Sequence, residues 1–155
     1  MADKQIKLGV IGIGVGAAEM LPAMESADYI NLYAGADLNP DVRVRFHERY
    51  PEARVYASAG ELLKDPEIDA VWISTPNMYH APMAIQAAQH GKHVVVEKPM
   101  ALDMRQAEEM VEAADKNGVK LVAGHTQSFS PQFRLMRQIV RSGELGALGA
   151  INVFS

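Results

Sequence analysis

The sequence contains no cysteine. That excludes disulfides and any thiolate zinc site, and it suits a reducing compartment such as the cytoplasm. No apolar run approaches the length of a membrane span, and the opening Met1-Ala2-Asp3-Lys4 is not a secretory signal. An excess of positive charge is missing as well. Fifteen Lys and Arg stand against 19 Asp and Glu, for a net charge of −4, so neither nucleic acid nor an anionic membrane is the expected partner. Internal repeats and low-complexity tracts are absent. What is left is ordinary globular composition, 48% hydrophobic and 22% charged over 155 residues, with room for one domain and a sizeable core.

The most informative stretch is residues 4–24, KQIKLGVIGIGVGAAEMLPAM. Ile6, Leu8, Val10 and Ile11 form a short β-favouring run that leads directly into Gly12-Ile13-Gly14-Val15-Gly16-Ala17. Ala17, Met20, Leu21 and Met24 then recur at helical spacing. Strand, glycine turn and helix in this order form the first βα unit of a dinucleotide fold. Gly12 permits the tight turn, Gly14 lets a pyrophosphate approach the backbone, and Ala17 fills the third small position where helix packs on strand. The helix N-terminus offers unpaired N–H groups and partial positive charge to phosphates. The competing reading is an ordinary glycine-rich turn. A second strand, residues 29–36, ends at Asp37, which stands 20 residues beyond Ala17, the offset of an acid that holds the adenosine ribose. The alternative for Asp37 is a turn opener before Asn39-Pro40.

Further along, the pattern predicts alternating helices and strands. A helix follows Asn39-Pro40 and ends at Tyr50-Pro51, Val55-Tyr56 is a short strand, and Ser58 caps a helix through Leu63. Residues 68–74 (IDAVWIS) read as a strand covered on both faces. Residues 79–90 form a helix with Ala81, Ala84, Ile85 and Ala88 on one face, and residues 93–96 are strand again. Asp103 and Gln106 suit a capping box. The helix they open carries a buried stripe of Ala107, Met110, Val111 and Ala114 and ends at Gly118. Residues 120–123 form one more strand. The expected architecture is α/β, a Rossmann-type doubly wound parallel sheet. Pro22 conflicts locally, since it falls inside the first helix and should bend it.

Ligands of such sheets lie beyond the carboxyl ends of the strands. There the sequence places Ser74-Thr75-Pro76-Asn77-Met78-Tyr79-His80, then Glu97-Lys98-Pro99, then Gly124-His125-Thr126-Gln127. Taken singly, the first is an ordinary turn and the second a surface ion pair. His90 and His93 flank a turn at the opposite end and read as structural, and no metal site is supported.

GIGVGA, Asp37, STPNMYH and VVVEKPMAL together resemble the glucose–fructose oxidoreductase, inositol dehydrogenase and rhizopine-catabolism proteins, the Gfo/Idh/MocA family. The resemblance covers nearly the entire chain, and STPN-x-x-H followed by EKP is its most specific part. GHT-x-SF is similar to the dihydroxyphthalate dehydrogenase branch, although many members carry Arg where this chain has Gln127 or Ser128. The resemblance implies an NAD-dependent dehydrogenase in which Gly12, Ile13, Gly14 and Val15 contact the pyrophosphate. Asp37 would hold the ribose, Thr75, Pro76, Asn77 and His80 would line the rest of the cofactor trough, and Glu97 and Lys98 would reach the nicotinamide and substrate. Lys98 is the catalytic candidate, suited to stabilise an alkoxide, and a cis Lys98–Pro99 bond is implied. NADP is disfavoured because Asp37 repels a 2′-phosphate, with Arg43 and Arg45 as weaker candidates for holding one. The expected organisation is a dinucleotide-binding domain over residues 1–124, a linker and helix over 125–147, and at 148–155 the first strand of a second α/β domain. That domain would hold the acid–base partner of Lys98. Expected partners are a small polyol, sugar or cyclic diol and further copies of the chain in a homo-oligomer. The alternative function is a non-catalytic dinucleotide-binding module. Arg134, Arg137 and Arg141 share a helix face that reads as solvated.

Overall fold

Six short apolar segments pair side by side in a computed structural model that describes residues 5–150. They are β1 (Ile6–Ile11), β2 (Ile30–Ala36), β3 (Arg54–Tyr56), β4 (Ala70–Ile73), β5 (His93–Glu97) and β6 (Leu121–Gly124). All pairings are parallel and the order is β3-β2-β1-β4-β5-β6. The helices between them are α1 (Val15–Ala18), α2 (Leu21–Glu25), α3 (Pro40–Arg49), α4 (Ala59–Leu63), α5 (His80–Gln89) and α6 (Met104–Lys116).

The core explains why β4 is apolar throughout. Alternate residues of a strand face opposite sides, and here both sides are covered. Ile11 of β1 with Val71 and Ile73 of β4 pack against Leu62 and Leu63 of α4 and Ala81, Ala84 and Ala87 of α5. Leu8 and Val10 with Ala70 and Trp72 pack on the other side, against Ala17, Leu21 and Phe46. Three of these six helices start at a side-chain cap. Asn39, Ser58 and Asp103 accept hydrogen bonds from the amides of Asp41, Glu61 and Gln106. Gln106 Oε1 in turn accepts from Leu102 N at 3.2 Å, so the expected box closes on the residue before the cap rather than on the Asp103 amide.

Two local expectations change. The first helix is not one bent helix but two short ones, because Pro22 lies within the first two positions of α2, where its missing N–H costs nothing. In α6 the buried face is Met110, Ala113 and Ala114, while Val111 is 48% exposed. One residue past Met110 on a 3.6-residue turn, it has rotated off the face toward the core.

The chain divides into two compact units at Gly124/His125. The second contains a 3₁₀ turn (Thr126–Phe129) and α7 (Pro131–Ser142), which is capped by Ser130 and closed by Gly143 at φ 75°. Arg137 donates to the Ser128 carbonyl at 3.3 Å. Of the expected strand at residues 148–155, Leu148, Gly149 and Ala150 have no regular structure. Residues 151–155 lie outside the described residues.

Candidate functional site

The order of the strands reverses between β1 and β4, so their connections leave in opposite directions and open a crevice beyond Ile11 and Ile73. Gly12 crosses it with φ 85°. A Cβ there would fall 2.8 Å from the Ser74 carbonyl oxygen and 3.0 Å from Thr75 Cγ2, so only glycine fits. Its amide donates to Ala36 O at 2.8 Å, and Ser74 N donates to Ile11 O at 2.9 Å, fixing the three strand ends together. Next, the amides of Ile13, Gly14, Val15 and Gly16 donate to no described residue. A Cβ on Gly14 would meet nothing within 4 Å. These are the requirements of an anion cradle: free donors and an unobstructed backbone.

The cradle forms one wall of a cavity of about 520 Å³. Of the residues selected from sequence, Gly12, Gly14, Val15, Asp37, Thr75 and Pro76 line it together. Asp37 is half-buried at the end of β2, and its Oδ1 accepts the Asn39 amide at 2.9 Å. Sequence reasoning did not select Gly16, Ala36, Leu38, Ala59, Ser74, Tyr79 and Met83, which also line the cavity. Ser74 was legible as a strand-end residue, but Ala59 comes from α4 and has no sequence signal. Arg43 has a closer place than its position in α3 suggests. One of its guanidinium nitrogens donates to the carbonyls of Asp37 at 2.8 Å and Leu38 at 3.0 Å.

Ile13, Asn77, His80, Glu97 and Lys98 are not among the lining. Ile13 is buried in the core beside Ala17, and Asn77 starts the exposed 3₁₀ turn Asn77–Tyr79. His80 is buried, with Nε2 2.7 Å from Thr75 O and Nδ1 2.8 Å from Pro99 O. Glu97 closes β5 beside Gly124, which would hold a Cβ only 3.4 Å from Glu97 Oε1. Lys98 is exposed, and the Lys98–Pro99 peptide is cis, as the resemblance implies. His90 and His93 carry ordinary structural bonds, to Gln86 O at 2.8 Å and from Lys120 N at 3.0 Å. Among the described residues no group of three or more His, Asp or Glu could hold a metal.

Residues 6–125 match the model of the Gfo/Idh/MocA oxidoreductase family, NAD-binding Rossmann fold. The chain belongs to that family. A dehydrogenase of Comamonas testosteroni, 1-carboxy-3-chloro-3,4-dihydroxycyclohexa-1,5-diene dehydrogenase, is 33% identical over 95% of this chain and 37% of its own length. Two solved structures of Gfo/Idh/MocA type superpose closely. The WlbA dehydrogenase of Bordetella pertussis, in complex with NADH and UDP-GlcNAcA, has a TM-score of 0.87 at 29% identity, covering 92% of this chain and 44% of that one. The 3-ketoreductase KijD10 of Actinomadura kijaniata, in complex with NADP and TDP-benzene, has a TM-score of 0.83 at 31% identity, covering 90% and 43%. The chain therefore spans less than half the length of the relatives it matches. It carries the nucleotide-binding fold of the Gfo/Idh/MocA oxidoreductases.

Proposed function

We propose that this domain binds NAD(H) in the described cavity and serves a dehydrogenase acting on a small polyol, sugar or cyclic diol. The observation that carries the reading is the convergence of the uncommitted amides of Gly14, Val15 and Gly16 and the Asp37 carboxylate on one cavity. Ile13, Gly14 and Val15 hold the pyrophosphate through backbone N–H groups, Gly12, whose own amide is committed to Ala36 O, forms the turn beneath it, Asp37 accepts from the ribose hydroxyls, and Thr75 and Pro76 form the facing wall. Asn77 and Glu97 belong to the rim of the nicotinamide end. When bound, the nicotinamide supplies two-electron hydride chemistry. The exposed ammonium of Lys98 would hydrogen-bond the substrate oxygen and stabilise the negative charge that builds on it. The cyclic diol in the name of the Comamonas relative and the sugar nucleotide bound to the Bordetella one support the substrate class.

NAD(H) is favoured over NADP(H) by the charge of Asp37. Calorimetric titration with each nucleotide tests the choice, and tighter NADP binding would reverse it. A second reading, a binding module without catalysis, is favoured by one observation: Lys98 stands outside the cavity lining. Turnover of any polyol by the 155-residue chain would exclude that reading. The proposal extends to a cytoplasmic homo-oligomer. The absence of cysteine supports the compartment, and exposed Phe133, Met136 and Val140 on α7 support association. Sizing with and without residues 144–155 tests the latter.

A further inference from the structure

Three polar side chains are buried among the described residues: Asp65, Lys92 and His80. Lys92 donates to the Asp65 and Ile68 carbonyls, and the Asp65 carboxylate accepts from Arg54 and Tyr56, so both are committed to the fold. His80 lies at the carboxyl ends of β4 and β5. It opens α5 at 2% exposure and joins two turns that are otherwise separate in sequence. Its Nε2 meets Thr75 O at 2.7 Å, on the cavity wall, and its Nδ1 meets Pro99 O at 2.8 Å, one residue past Lys98. Both partners are carbonyl oxygens and accept only. A neutral imidazole donates to one of them and a doubly protonated ring to both. In either form no ring N–H remains for a ligand.

We propose that His80 is a positioning residue, a brace that ties the Lys98 turn to the start of α5 through its bond to Pro99 O, rather than a group that touches nucleotide. The inference rests on the reading of Lys98 as the group at the nicotinamide end. Two substitutions separate the bonds, because an Asn amide nitrogen overlays Nδ1 and a Gln amide nitrogen overlays Nε2. His80→Asn keeps the donor toward Pro99 O, and His80→Gln keeps only the one toward Thr75 O.

The test is acetylation of Lys98 by an N-hydroxysuccinimide ester, read by mass spectrometry with and without saturating NAD⁺. In the wild-type chain and His80→Asn, NAD⁺ should protect Lys98, whereas His80→Gln should lose most of the protection. Its NAD⁺ affinity should meanwhile stay within about threefold, below the tenfold that one strong hydrogen bond carries. Equal behaviour of the two variants would reduce His80 to packing and overturn the brace. Absence of protection in the wild-type chain would instead defeat the reading of Lys98. The brace then stands or falls on ¹⁵N relaxation of the Lys98 and Met100 amides, which should become more mobile in His80→Gln alone. Should neither variant fold, the wild-type ring decides: a His80 N–H in slow exchange with solvent supports the brace, and one exchanging as a free imidazole overturns it.

Discussion

Gly12 and Gly14 stand two residues apart and are glycine for opposite reasons, one steric and internal, the other reserved for a ligand. Gly12→Ala places a methyl against Ser74 backbone and forces φ 85° on an L side chain, which alone costs about 1–2 kcal/mol. Gly14→Ala meets open space. We expect thermal unfolding to drop for Gly12→Ala, and Gly14→Ala to melt like the wild type while losing nucleotide affinity. Equal melting losses would contradict the assignment. At Asp37, loss of charge-assisted hydrogen bonds of about 1.5–3 kcal/mol should weaken NAD binding roughly 10- to 100-fold in Asp37→Ala and narrow the gap to NADP. Arg43, held against the Asp37 and Leu38 carbonyls, is the cation expected to support that residual NADP binding. Calorimetry on Asp37→Ala/Arg43→Ala should show it lost. The glycines and Asp37 are legible in sequence because their roles depend on local backbone and fixed offset. The side-chain direction of His80 is not, since it depends on a helix start meeting the turn after β5, and the reach of Arg43 is not, since it depends on which rotamer folds the guanidinium back onto the loop before its own helix.

At the scale of elements, the alternation of strand and helix is legible because both faces of the sheet are covered and the apolar pattern says so. The split of α1 from α2 is partly legible through Pro22. The polar brace beneath the sheet is not, because its partners are remote in sequence. Lys92 Nζ donates to Asp65 O at 2.7 Å and Ile68 O at 2.8 Å, tying the connection before β4 to the turn before β5. Lys92→Met would leave the Ile68 carbonyl without its donor and the Asp65 carbonyl with only the long 3.4 Å bond from Ile68 N, a loss of about 2–3 kcal/mol. At about 2–4 °C per kcal/mol for a chain of this size, calorimetric melting should fall by roughly 4–12 °C. Asp65 itself sets an acid limit. Burial alone would raise its pKa, but the Tyr56 hydroxyl at 2.6 Å, the Glu67 amide and the Arg54 guanidinium at 2.9 Å outweigh burial and hold the carboxyl below its usual range. A depressed carboxylate contributes stability above its unfolded pKa and loses it as pH falls through the folded one. Urea midpoints of the wild type should therefore decline below about pH 4 more steeply than those of Asp65→Asn. Parallel curves would refute the assignment.

For the molecule as a whole, the charge of the cavity is one-sided: among the described residues its wall carries the carboxylate of Asp37 and no Lys or Arg. The helix behind the cradle, α1, has only four residues before the break at Pro22, so few peptide dipoles add up behind the amides. The proposed grip on pyrophosphate is then short-range hydrogen bonding, within a chain of net charge −4. Ionic strength should act in the direction opposite to that of a basic phosphate site. Salt shortens the range of charge from about 30 Å at 0.01 M to about 8 Å at 0.15 M, and here it mutes repulsion more than attraction. NAD⁺ affinity measured across that range should hold level or rise slightly, and a clear fall would reveal a cation at the phosphates that the described residues do not supply.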